Sequence, residues 1–209
     1  MLFPTVQFAI FFVVVFLGHW LLMQHPRPWR WFILAASYFF YGFWDWRFTF
    51  LLAGATVVNQ FFAVRIHGAR TPQAKRWYLI GALAADLGVL AYFKYVGFLM
   101  ASVISALDKF GLSVDTRPLE VILPIGISFF TFQSISYLSD VYRGTLPAHR
   151  SLRDYVLFVA FFPNLVAGPI ERAGNLLPQL ARLGPATALQ RREGIVLVAL
   201  GLFKKVLIG

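Results

Sequence analysis

The chain has 209 residues, of which 59% are hydrophobic and 13% charged, with a mean hydropathy of +0.68. Soluble domains carry about 25% charged residues, so this composition excludes an ordinary soluble fold and indicates a polytopic membrane protein. Cysteine is absent, which removes disulfides, zinc–thiolate sites and a cysteine nucleophile together. The net charge of +10 has no soluble basic face to occupy, so it is topological and no nucleic-acid partner is expected.

Residues 5–24 form an apolar run close to 30 Å long as a helix (about 20 residues), enough to cross a hydrocarbon core. No basic residue precedes the run and no small-x-small cleavage site closes it, whereas Arg27 and Arg30 follow directly. It therefore reads as a first membrane helix with its N-terminus outside, not as a signal peptide. Two further runs, 29–44 and 48–64, are each roughly 25 Å as helices and are separated by the polar step Asp45-Trp46-Arg47. Both are slightly short for a span, which implies little tilt in a locally thinned bilayer or a place inside a bundle that creates the thinning. A basic loop follows at 65–76, with Arg65, Arg70, Lys75 and Arg76. Residues 77–100 are long enough to span with tilt and carry Asp86 near the middle and Lys94 nearer the end.

Residues 101–120 are amphipathic and net negative, with Asp108, Asp115 and Glu120 against Lys109 and Arg117. The run 124–143 is predicted to begin with Pro124 in its first turn and to stop at Gly144, with Pro147 beyond. Ser151 and Asp154 form a capping box for the next helix. That helix meets Pro163 after about 11 residues, or roughly 17 Å, half a bilayer. Bounded by Pro163, Gly168 and Pro169, the segment 152–170 is expected to be re-entrant or buried in protein, the settings in which broken backbone is tolerated at membrane depth. Residues 176–192, with Pro178, Gly184 and Pro185, are expected along the surface, and 194–209 to begin another apolar helix that the chain leaves unfinished. The fold class is thus an all-α polytopic membrane protein, one unit over 1–209, with about six transmembrane helices, a re-entrant segment and a surface helix.

Loop charge sets the orientation. Arg27 and Arg30, the loop 65–76, the turn from Arg143 to Arg153, and the group Arg182, Arg191 and Arg192 alternate onto one side if 152–170 is re-entrant. That side is cytoplasmic. All six tryptophans fall at segment ends, where an aromatic belt places them.

Polar residues inside the apolar runs are the candidates for chemistry. His25, His67 and His149 lie in turns beside arginines and read as interfacial. His19, inside the first helix, is either a snorkelling residue or a functional intramembrane group. Asp86 needs a partner at its depth; Lys94 lies about 12 Å along the axis, so partner groups on another helix or a water-filled cavity are required. Asp140 and Arg143 are spaced to pair on one helix face. Ser128, Thr131, Gln133, Ser134, Ser136 and Ser139 form a broad stripe that serves helix packing or lines a polar path. No histidine pair has metal-ligand spacing, so no metal site is expected.

The strings LPIGISFFTFQSISYLSDVYRG (123–144), FFPNLVAGPI (161–170) with Glu171-Arg172, and GLFKKVLIG (201–209) resemble the membrane-bound O-acyltransferase superfamily. ASYFFYGFWDWRF (36–48) and LAYFKYVGF (90–98) are similar to the same branch, that of alginate O-acetylation proteins and relatives acting on cell-wall or exopolysaccharides; D-alanyl transfer proteins are more distant cousins. The resemblance implies a multi-helix enzyme with a funnel through a thinned bacterial inner membrane. In such enzymes an acyl group from acetyl-CoA or an acyl carrier passes to a hydroxyl acceptor outside, with extracytoplasmic partner proteins, and a histidine near the tunnel is essential. The family's catalytic Trp-Arg-Arg-Trp-His type segment and later Trp-His-Gly are absent here, and none of the four histidines occupies a matching position. The chain therefore resembles the N-terminal portion of such an enzyme. It is expected to be inactive alone, to bind no cofactor of its own, and to lend tunnel-wall residues among Ser128, Thr131, Gln133, Asp140, Arg143 and Asn164. The alternative from another class is a small non-catalytic transport or scaffold protein of the membrane, using the polar stripe and Asp86.

Overall fold

The computed structural model describes residues 5–109, 122–148, 151–166, 168 and 170–207, the last three in backbone only. Asp115, Arg117 and Glu120 of the acidic loop, His149 and Pro169 lie outside the described residues. Every regular element described is a helix.

Helix α1 spans Val6–Leu22 and starts where the Thr5 hydroxyl accepts a hydrogen bond from the Phe8 N–H at 3.2 Å. Helix α2, Pro26–Gly42, holds two prolines in its first turn, where a missing N–H removes no helical bond. Asp45 caps α3, Trp46–Gly68, by accepting from the Arg47 N–H at 2.9 Å, so the polar step at 45–47 is a helix start. Helix α4, Pro72–Lys109, begins at a Thr71 cap and runs 38 residues, about 57 Å, beyond both ends of the predicted 77–100. The amphipathic segment after Met100 continues the helix at least to Lys109 instead of opening a loop.

Helix α5, Ile127–Arg143, starts three residues later than predicted. Pro124 is not in its first turn: its carbonyl accepts from the Ile127 N–H, and Gly126, at φ 77°, makes the entry. The other end closes as predicted at Gly144, also left-handed at φ 77°, whose N–H reaches the carbonyls of Asp140 and Val141. Ser151 caps α6, Leu152–Ala160, through the Asp154 N–H at 3.3 Å. The chain then breaks at Phe161, forms the single turn α7, Phe162–Leu165, and continues into α8, Ala173–Ala181, and α9, Ala188–Leu207. Residues 176–192 are thus not one surface segment: α8 packs on α6 and buries Ala173, Leu177 and Leu180, while α9 begins six residues ahead of the predicted 194.

Helices α3, α4 and α5 pack against one another, and α6 lies against α2, α3, α5 and α8. Tyr137, Leu138, Val141, Tyr155, Leu157 and Phe158 fill the centre between α5 and α6. Phe11, Phe40 and Phe162 join α1, α2 and α7 with ring centroids 5.2–5.7 Å apart. The outer faces are strongly apolar: Ile10, Phe50 and Phe98 are each more than 60% exposed. A surface of that kind is an interaction or membrane surface. Among the described residues, α3 and α4 are long and apolar enough to cross a membrane, and α1 is a shorter apolar helix of 17 residues.

Candidate functional site

The broken helix at α6–α7 and the polar side chains that hold it form the candidate site. Breaking a helix inside a packed bundle frees backbone N–H and carbonyl groups, each of which is costly to bury without a partner. Two side chains supply partners. Gln133 of α5 donates its Nε2–H to the carbonyl of Phe158 at 3.1 Å, near the end of α6, and the Ser37 hydroxyl of α2 accepts from the Phe162 N–H at 3.2 Å, where α7 begins. Both side chains are almost fully buried, at 2% and 0% exposure. Each such bond contributes about 1 kcal/mol net, but losing one partner leaves a buried group unsatisfied at about 1–3 kcal/mol.

The turn before α5 is fitted to the same break. A Cβ added at Gly126 would lie 2.4 Å from the carbonyl oxygen of Leu165, so only glycine admits α7 this close to the start of α5.

Asp86 stands one layer away, in the face of α4 that also buries Ala82 and Leu90. Its Oδ1 accepts from Nδ2 of Asn59 on α3 at 2.7 Å. The partner on another helix that Asp86 requires is therefore an amide, and Lys94 is exposed near the Tyr95 ring instead. Tyr155, fully buried in α6, lies with its ring 4.6 Å from that of Tyr137, and its hydroxyl has no hydrogen-bond partner among the described residues. At the start of α6, Asp154 pairs with Arg30 of α2 at 3.5 Å and with Arg153 at 3.1 Å. Read down α6, polar contacts run from Asp154 to the Phe158 carbonyl and the Phe162 N–H.

The sequence candidates divide accordingly. Thr131 and Gln133 are buried between helices; Ser128 and Asn164 are half-buried at the far end of α5 and in α7. Asp140 and Arg143 form no ion pair with each other among the described residues, and Arg143 is exposed. His19 is not part of this column: its Nδ1 accepts from the Trp29 indole at 2.8 Å across α1 and α2. His25 and His67 are exposed. Ser37, Asn59 and Tyr155 were not singled out in the sequence. Asn59 has a visible signal, since Asn59-Gln60 interrupts an otherwise apolar run, but Ser37 and Tyr155 have none that separates them from ordinary helix-packing residues. No nucleophile and base stand together here, and among the described residues no cluster of His, Asp and Glu can hold a metal ion. The site can hold a broken backbone in a fixed place and line it with amide, hydroxyl and carboxyl groups.

Comparison with known proteins finds relatives along the whole chain. From end to end it is similar to proteins described as O-acetylases and O-acetyltransferases. The chain is 41% identical over 210 residues to a protein described as probable alginate O-acetylase AlgI of Pseudomonas aeruginosa, covering 100% of this chain and 40% of the relative. It is 41% identical over 213 residues to the one of the same description from Azotobacter vinelandii, covering 100% and 41%. With the peptidoglycan O-acetyltransferase of Helicobacter pylori it shares 34% identity over 241 residues, covering 100% and 44%. The chain spans about two fifths of the length of these relatives. No protein-family profile matches it, and no solved structure does.

Proposed function

We propose that this chain forms the N-terminal part of an enzyme that transfers acetyl groups to hydroxyls of an extracytoplasmic polysaccharide such as alginate. The observation that carries this reading is the unbroken similarity to alginate O-acetylases across all of its residues. In the complete enzyme it supplies one wall of the acyl-transfer site, with α6–α7 as a re-entrant floor held by Ser37, Gln133 and Gly126. Ser128, Thr131 and Asn164 lie toward the far end of that wall, and Asp140 and Arg143 at its opposite rim. The acyl donor, acetyl-CoA or an acyl carrier, is a substrate, and the acceptor and extracytoplasmic partner proteins act on the outer side.

The membrane arrangement belongs to the same proposal: about six spans, a bacterial inner-membrane location and an outside N-terminus. Its support is the clustering of basic turns at one end. Arg30 reaches Asp154, and the Lys75 ammonium lies 5.3 Å from the Tyr142 ring centroid, so the turns near 27–30, 65–76 and 143–153 share that end. Positive turns of this kind face the cytoplasm.

The test is reconstitution. The chain by itself, purified in detergent with acetyl donor and polymannuronate, should transfer no acetyl groups, because it carries no general base of the family. Genetically joined to the remaining three-fifths or so of an alginate O-acetylase, it should restore polymer acetylation in cells lacking that enzyme. Transfer by the chain alone would refute the division of labour, and a correctly inserted fusion that never acetylates polymer would refute the assignment.

A further inference from the structure

A second feature stands outside the polar column. Between α1, α2 and the α6–α7 break lies an apolar groove of about 250 Å³, walled by Phe16, Trp29, Ile33, Phe161 and Pro163, with His19 as its polar group. Drug-sized ligands need about 300–1,000 Å³. The groove is almost wholly apolar and its volume takes a length of one hydrocarbon chain.

The polar end of the groove is set up in detail. Because Nδ1 of His19 accepts from the Trp29 indole at 2.8 Å, the neutral ring carries its proton on Nε2, leaving one N–H free to donate. His19 makes no other hydrogen bond among the described residues. It sits in the last turn of α1, close to the start of α2, which carries Arg27 and Arg30. Arg30 is engaged by Asp154, but Arg27 is exposed and forms no ion pair among the described residues. A hydrocarbon slot, one hydrogen-bond donor at its head and an unengaged arginine beyond match the order of groups in an anionic glycerophospholipid: acyl chain, ester carbonyl, phosphate.

We infer that this groove is a binding site for an anionic phospholipid, one acyl chain lying against Phe16 and Phe161, its ester oxygen accepting from His19 Nε2–H and its headgroup meeting Arg27. This rests on the membrane placement proposed above, with the basic end at the cytoplasmic leaflet, where anionic lipids reside and each basic residue adds to binding.

The test uses the purified chain in lipid nanodiscs containing either phosphatidylglycerol or phosphatidylcholine with a photoactivatable acyl chain, adducts being mapped by mass spectrometry. Peptides bearing Phe16 and Phe161 should be labelled about fivefold more from phosphatidylglycerol, the preference expected for one juxtamembrane arginine. Arg27→Gln should abolish the preference without abolishing labelling. His19→Phe should reduce labelling from both lipids, whereas His19→Gln, which keeps a donor and an acceptor, should retain most of it. Equal labelling from the two lipids by the unmodified chain would overturn the site, as would adducts on α3 and α4 with none in the groove. Absence of adducts on α3 and α4 as well would overturn the membrane placement, and this site with it.

Discussion

At the scale of single residues, three buried polar side chains hold partners on other helices. Asp86 takes a hydrogen bond from Asn59, Gln133 gives one to the Phe158 carbonyl, and Ser37 takes one from the Phe162 N–H. A buried carboxyl that loses its donor loses more than the net value of one bond, because its desolvation is no longer offset. Asn59→Leu is therefore expected to destabilise the chain by about 1–3 kcal/mol, and Asp86→Asn, whose amide oxygen still accepts from Asn59, by less. Thermal unfolding in detergent compares the two; a larger loss for Asp86→Asn would show that the charge itself is needed. Gln133→Leu should cost a similar 1–3 kcal/mol or so by stranding the Phe158 carbonyl. If Gln133 instead serves only as a polar lining, its replacement would leave the melting temperature unchanged.

At the scale of elements, helix starts and stops are largely local events, which is why so many were legible in the sequence. Gly144 closes α5, Ser151 opens α6 and Asp45 opens α3 through contacts within about one turn. Ser151→Ala should accordingly cost about 1 kcal/mol. Pro124 misled because proline suits both a first helical turn and the turn ahead of it, and only the packing of Gly126 against Leu165 selects the second. The two left-handed glycines of α5 make a matched pair. Both have φ 77°, but Gly144 faces open space whereas Gly126 abuts the Leu165 carbonyl. Gly144→Ala should therefore cost about 1–2 kcal/mol from backbone strain alone, and Gly126→Ala clearly more. Equal losses in chemical denaturation would mean that α7 is free to move away from α5.

At the scale of the whole molecule, charge and apolar surface organise the bundle. The basic turns gather at one end through the Arg30–Asp154 pair and the Lys75–Tyr142 contact, and strongly apolar side chains cover the outer faces. A reporter fused after Ala69 should be active only as a cytoplasmic probe, and one fused after Trp44 only as an extracytoplasmic probe. The opposite result at either position would invert the proposed orientation.

Composition, helical content, a helix break close to Pro163 and the kinship with O-acetylases are determined by the sequence alone, because hydropathy, capping and motif order act over short stretches of chain. Which polar groups meet was decided by the tertiary structure. Ser37 is 125 residues from Phe162, Gln133 is 25 from Phe158 and Asn59 is 27 from Asp86. Helical periodicity places each of these residues on a face but does not say which helix that face will meet. Periodicity thus leaves open that the α5 stripe meets the Phe158 carbonyl of α6 through Gln133, and that the His19 ring is held by the Trp29 indole of α2.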